Sequence, residues 1–462
     1  MSQVTVAFLG ATDTVTGSRF LVSTEKSKVL IDCGLFQGLK SIRLKNWEPF
    51  PVDVETIDAV LLTHAHLDHC GYLPLLARQG YSNPIFATQY TAELASVILH
   101  DSAHLQMEDA KYAAKKGYSK HEIPLPLYTA DDTAKSLKLF KRIAFHERIA
   151  ITEDIFATWY PSGHILGSAF IVLEAGGKKI LFTGDMGRNN HPLLSNPDAP
   201  PQLEFDAVLT ESTYGDRIHD SQPNDFADEI NAAIKRGGSI LIPAFAVDRT
   251  EVILMALREL MTTKKIPLIP IYVDSPMALA ALNFYREAIT SDSPEIREGV
   301  SAKWANQDPF DPGKLYQALT TEESKEINEI SETSIIISAS GMATGGRVVH
   351  HLEHMLPDTS NTVILVGYQA AGSRGRLLQE GVTELKMHGN LIPVRAHIAK
   401  VESFSVHADG DELVQWLRQI KLIGPAFIIH GEGRAQEKMA DRLSKELGWN
   451  TVIPNPAQVI AI

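Results

Sequence analysis

Short alternations of apolar and polar residues open the chain. VTVAFLG (4–10), RFLVST (19–24), KVLIDCG (28–34) and, after a Pro-containing loop, IDAVLLTH (57–64) each end in small or polar residues. This pattern predicts β-strands. From Tyr90 to Lys116 apolar positions recur at helical spacing among strong helix formers, and DDTAKSLKLFKRI (131–143) predicts a further helix. Strands resume with IFATWYPSGH (155–164), AFIVLEAG (169–176), KKILFTGD (178–185) and FDAVLTEST (205–213). Past Thr213 the pattern changes to helices alternating with continuous apolar runs such as SILIPAF (239–245), SIIISAS (334–340) and TVILVGYQ (362–369). Runs of that kind predict a largely parallel sheet covered on both faces, and hence a second domain. From residue 391 short strands return, interleaved with helices at 411–420 and 435–448, and no internal repeat or low-complexity tract is present.

The chain has 462 residues, a length that suggests two or three domains. Its 44% hydrophobic and 21% charged residues are those of a globular protein. No apolar run is long enough to span a membrane, and MSQVTVAFLG carries neither a basic segment nor a cleavage site, so a cytoplasmic protein is expected. The two cysteines, Cys33 and Cys70, require no disulfide framework and read as buried thiols beside candidate ligands. A net charge of −13 argues against a protein that coats nucleic acid nonspecifically. An enzyme acting on a polyanion would need a local cationic cluster.

The strongest chemical signal follows the apolar strand AVLL: His64, His66, Asp68 and His69 stand within six positions, in a turn between strand and helix. Such a turn can aim several nitrogen and oxygen donors at one place, as zinc requires. Asp32, His164 and Asp185 add donors at the ends of other predicted strands. Each alone would read as a turn or cap residue. As an ordered series, HxHxDH, a later His and a later Asp resemble the ligand series of the metallo-β-lactamase superfamily. The resemblance implies a four-layer αββα fold with the site at the sheet edges. It implies further that His64, His66 and His164 bind one zinc ion, that Asp68 and His69 bind a second, that Asp185 bridges the two, and that Asp32 orients a ligand from behind.

Four more segments, LTESTYGDR (209–217), SASGMATGGR (338–347), GYQAAGSRGR (367–376) and SFSVHAD (403–409), together with HGE (430–432), resemble the β-CASP branch of that superfamily. These are nucleases with an α/β specificity domain inserted into the metallo-β-lactamase fold. The implied division is residues 1–208 and 394–462 for the metallo-β-lactamase domain and 209–393 for the insertion. Carried over position by position, the acidic motif falls on Glu211, the next on His407 and the last on His430. His430 then completes the second zinc, and Glu211 and His407 form a hydrogen-bonded acid pair that protonates the leaving oxygen. A histidine at position 430 favours RNA over DNA. The implied reaction is hydrolysis of RNA by a zinc-bridging hydroxide oriented by Asp68, leaving a 5′-phosphate and a 3′-hydroxyl, with internal and 5′-end attack both open. The chain is expected to lack an appended domain after Ile462 and an N-terminal RNA-binding extension, like the compact bacterial members.

Arg347, Arg374, Arg376, Arg395 and Lys400, with Ser340 and Gly341, are the expected phosphate contacts, set among small residues suited to close approach. Between Ser340 and Glu402 six Lys/Arg face five Asp/Glu, so this segment is near neutral within an acidic chain. RNA is the expected partner, with homodimerisation open. Two other readings compete: a thioester or lactone hydrolase, which has no need of the insertion, and a noncatalytic RNA-binding scaffold, which has no need of intact ligands. Two histidine groups are set aside. His100 and His104 lack an accompanying ligand series, and His350, His351 and His354 open a predicted helix, where capping, packing or solvent exposure is the expected role.

Overall fold

The computed structural model describes residues 4–116, 124–219 and 225–462. The chain divides into two compact units, residues 1–218 with 407–462, and residues 219–406.

Among the described residues the first unit contains two seven-stranded sheets. Side-chain alternation explains how they stack. In strand Ala169–Ala175, Ile171 and Leu173 join Val6, Phe8, Leu61 and Trp159 in a core shared by both sheets. Phe170 and Val172 in the same strand pack instead with Leu413, Leu417, Met439 and Leu443 of helices Gly410–Leu417 and Gly433–Leu447. Burial on both faces is why this strand reads as a continuous apolar run. Helices Leu73–Arg78, Gln89–Lys116 and Ala130–Leu137 pack against one another beside the first sheet, which completes the αββα order. The last strand, Val459–Ala461, returns to pair antiparallel with Thr5–Phe8.

The expected helix over 131–143 stops early. Helix Ala130–Leu137, begun by a capping box between Thr129 and Asp132, gives way to strand Phe140–Ile143, which pairs in parallel with Ile85–Thr88. Sheet pairing overrides the helix preference of LFKRI, and the exposed Lys141 and Arg142 suit a sheet edge.

The second unit holds a six-stranded sheet whose pairings are all parallel, as its apolar runs predict. Strand His397–Lys400 pairs with Thr362–Leu365 and so belongs to this sheet. The compact unit therefore runs to residue 406, beyond the expected edge at 393, and starts at 219 instead of 209 because strand Ala207–Thr210 pairs within the first unit. No described helix is long and apolar enough to cross a membrane.

Phe8 is fully buried and its ring lies 5.0 Å from that of Phe427 and 6.0 Å from that of Phe20. Truncating it to alanine is expected to cost about 3–5 kcal/mol, read as an earlier denaturant transition of the first unit.

Candidate metal centre

Nine of the expected site residues follow the C-terminal ends of six strands. Asp32 follows Lys28–Ile31, the 64–69 turn follows Ala59–Leu61, His164 follows Ile155–Pro161, Asp185 follows Lys178–Phe182, Glu211 follows Ala207–Thr210 and His430 follows Pro425–Ile428. The pairings show that these strands run in one direction within each sheet. All their C-terminal ends therefore meet at one edge of the sandwich.

The turn carrying four of the donors is fastened through its backbone. Ser18, Cys33 and Leu35 donate N–H bonds of 2.7–3.0 Å to the carbonyls of Asp68, His69 and Leu67. Between them Gly34 approaches so closely that a Cβ there would stand 1.5 Å from the Asp68 carbonyl oxygen. Any other residue would push the turn off its support.

The donors form two groups sharing one carboxylate. In the first, His64 Nε2 and His164 Nε2 face His66 Nδ1 at 3.0 and 3.2 Å, and both lie 3.7 Å from Asp185 Oδ2. In the second, His69 Nε2 and His430 Nε2 face each other at 3.1 Å, with Asp185 Oδ1 3.4 Å from His69 and 3.6 Å from His430 Nδ1, and Asp68 Oδ2 3.6 Å from His430 Nε2. Donors around a tetrahedral zinc at about 2.1 Å lie roughly 3.4 Å apart, so both groups have the spacing and the donor chemistry of metal sites.

Asp32 stands behind the second group. Its Oδ2 accepts from His69 Nδ1 at 2.7 Å, which turns Nε2 toward Asp185 and His430. The Thr63 N–H donates to Asp32 Oδ1 at 2.8 Å, and the Thr63 hydroxyl lies within 3.0 Å of both carboxylate oxygens. This is the position expected for an orienting carboxylate. Thr63 itself escaped the sequence reading; its place directly before His64 was the available signal.

Electrostatics distinguish the two groups. Burial lowers the pKa of His64 and brings His66 down to about 4, which leaves their lone pairs available. Burial also disfavours charge on His69 and His430, but Asp185, with Asp32 beside His69 and Asp68 beside His430, outweighs it and raises both imidazoles. Asp185 is the counterpart: burial opposes its charge, yet His430, His69 and His64 hold it well below the usual carboxylate range.

Glu211 and His407 adjoin this cluster. Glu211 Oε1 accepts the Met186 N–H at 2.5 Å, and its Oε2 stands 3.5 Å from His407 Nδ1. The two are within ion-pair range, but no hydrogen bond of ordinary geometry joins them, unlike the expected bonded pair. The His407 ring lies 4.3 Å from that of His164. Cys33 and Cys70 are buried; the Cys70 thiol donates to the Ala65 carbonyl, and burial pushes the Cys33 thiol up to about 12. Neither suits a nucleophile.

The expected phosphate contacts all lie in the second unit. Arg347 donates to Asp274 at 2.7 Å and to the Ala318 and Leu319 carbonyls at 2.9 Å, and Arg374 donates to the Ala343 and Thr344 carbonyls. These guanidinium groups tie the unit together. Arg376 pairs with Glu380 and Lys400 with Glu402, while Arg395 is exposed. The Ser340 hydroxyl bonds that of Thr344, and Gly341 is required by Phe245, whose ring would stand 2.8 Å from a Cβ there. Of the histidines set aside, His100 lies 2.7 Å from the Ser96 carbonyl and His351 is buried against Asp274 and Asn328.

Comparison with known proteins agrees with this geometry. Residues 21–199 match the metallo-beta-lactamase superfamily domain, 250–378 the Beta-Casp domain, and 391–454 the Zn-dependent metallo-hydrolase RNA specificity domain. A protein of Thermus thermophilus named as a ribonuclease is 34% identical over 92% of this chain and 92% of its own length. The chain belongs to the β-CASP ribonucleases. An RNase J-like protein of Methanocaldococcus jannaschii is 32% identical to this ribonuclease over 99% of the chain and 100% of its own length. The transcription termination factor FttA of Pyrococcus horikoshii is 31% identical over 99% of the chain and 71% of its own. A solved Enterococcus faecalis protein of unknown function shares the fold, with a TM-score of 0.53 and 12% identity over the whole of both chains.

Replacing Asp32 by asparagine is expected to weaken metal binding by about 10–100-fold while the chain stays folded, because the lost carboxylate no longer fixes the His69 ring. Competition for zinc against a chromophoric chelator measures this.

Proposed function

We propose that this β-CASP ribonuclease holds two zinc ions and cuts RNA to leave a 5′-phosphate and a 3′-hydroxyl. The observation that carries the reading is the division of Asp185: Oδ2 faces His64 and His164, and Oδ1 faces His69 and His430. One carboxylate with an oxygen in each donor group is suited to bridging two cations. His64, His66 and His164 would hold one ion, and Asp68, His69 and His430 the other. Bound there, the pair would supply a hydroxide nucleophile at neutral pH and offset charge on the phosphate.

The remaining work falls to side chains. Asp68, partly exposed at the site and close to His430, would orient the attacking water as well as bind metal. His407 is the proposed general acid. It is partly exposed, lies beside His164, and has Glu211 behind it to favour the charged imidazolium before its proton passes to the departing 3′ oxygen. A small closure of the 3.5 Å gap would make the hydrogen bond, as catalytic contacts often tighten only when substrate is bound. Asp32 is a positioning residue, since it acts through His69.

RNA is proposed over DNA on the strength of His430 and the RNA specificity domain match at 391–454. Phosphate contacts are proposed for Arg376, Arg395 and Lys400, whose side chains reach the surface. A cytoplasmic location accords with the two unpaired cysteines.

The His407→Ala chain is expected to keep its full zinc content and to cleave end-labelled RNA about 10²–10⁴-fold more slowly. Undiminished cleavage would remove His407 from the mechanism, and loss of zinc would make it a structural residue. A circular RNA in the same assay reports internal cutting alone.

A further inference from the structure

A second group of metal-binding side chains lies in the second unit and takes no part in the chemistry above. Helix Arg347–Met355 presents His350 and Glu353, three positions apart and so on one face. Opposite them is His388, at the tip of a hairpin. Strands Glu384–Met387 and Asn390–Pro393 pair antiparallel with Met387 facing Asn390, leaving His388 and Gly389 as a two-residue turn. Both have positive φ, 46° and 91°, the conformation of the tight hairpin turns that match strand twist. Leu385 and Met387 are buried in the same apolar core as Val349 and Leu352 of the helix, which fixes the tip beside the helix surface.

The contacts are already those of a partly assembled site. His388 Nδ1 is 2.8 Å from Glu353 Oε2, and the His350 and His388 rings stack with centroids 4.4 Å apart and planes 23° from parallel. One ligand atom from each of the three residues lies within 4.8 Å of the others. Two imidazoles and a carboxylate are a donor set that zinc accepts, with its fourth position open to water. A tetrahedral zinc would draw the three donors closer, to a mutual spacing of roughly 3.4 Å.

We propose that His350, Glu353 and His388 bind a zinc ion that clasps the hairpin turn to the helix. The ion would replace the hydrogen bond between His388 and Glu353 with bonds to both, and would add His350. The helix begins at Arg347, whose guanidinium holds Asp274 and the Ala318 and Leu319 carbonyls. A clasp three residues further on therefore ties the hairpin to a helix that is itself fixed to the sheet. With one exposed and two part-exposed donors, this site should hold zinc less tightly than the buried centre around Asp185.

The test is the zinc content of the full-length chain, stripped with chelator and brought to equilibrium by dialysis against buffered zinc. The comparison is with the double variant His350→Gln, His388→Asn. Asparagine is among the residues favoured at a hairpin position with positive φ, so the turn should survive the change. The variant is expected to bind one zinc equivalent fewer than the parent and to cleave RNA at the parent's rate. A chain carrying His64→Ala and His66→Ala should keep the equivalent that the double variant loses, which separates this site from the one proposed for catalysis. Equal zinc in parent and double variant, with circular dichroism showing both folded, overturns the clasp.

Discussion

Everything at the catalytic edge depends on keeping charge buried. His64, His69, His164, Asp32 and Asp185 are each at most 2% exposed. Taking such groups out of water costs several kcal/mol per ion unless each finds a partner. The partnership here has a centre. Asp185 lies within 3.8 Å of five imidazoles, those of His64, His164 and His407 at Oδ2 and those of His69 and His430 at Oδ1, and His430, His69 and His64 hold its carboxyl ionised against the burial that opposes it. The strand directions serve the same requirement, because C-terminal ends pointing to one edge bring His64, His69, His164 and His430, from the ends of three other strands, to this one carboxylate.

The two donor groups answer that requirement differently. His64 and His66 are driven toward neutrality by burial, so they offer lone pairs at once. His69 and His430 are drawn toward the charged form by Asp185 and their own carboxylate neighbours. The same carboxylates that favour charge on these two imidazoles are the ones that complete the second donor group. Two of the residues concerned, Asp32 and His430, have left-handed backbone, at φ 57° and 50°. Strain of this kind persists where the surroundings over-determine it, and here each backbone is held: Asp32 donates its N–H to the Leu61 carbonyl and His430 to the Ala11 carbonyl.

The His/Asp cluster that could hold metal was legible in the sequence because each member is a rare residue at a forced place. Three histidines and an aspartate in one short turn leave few alternatives, and an Asp or His after an apolar strand becomes telling once several occur in order. Fold class was legible for a related reason, since burial on one or both faces of a strand leaves its mark as alternation or as an unbroken apolar run. Local pattern failed where pairing decided. LFKRI reads as helix by composition, yet Phe140–Ile143 completes a sheet edge. Strand His397–Lys400 resembles the short strands after it, and only its pairing with Thr362–Leu365 assigns it to the second unit.

The arginines are hard to read from sequence, and the reason is physical. A guanidinium has five donors and no acceptor, so the same residue among glycines can serve a phosphate or a row of backbone carbonyls. Arg347 and Arg374 donate to carbonyls of their own chain in this structure. His350 shows the converse. Its sequence neighbours His351 and His354 suggested a cluster that the helix does not form, since His351 turns inward to Asp274. The partners that give His350 meaning are Glu353, one turn along, and His388, 38 residues away in sequence and adjacent only through the hairpin. Spacing along a chain reveals a site when its donors share one turn of backbone, and conceals it when a sheet or hairpin must bring them together.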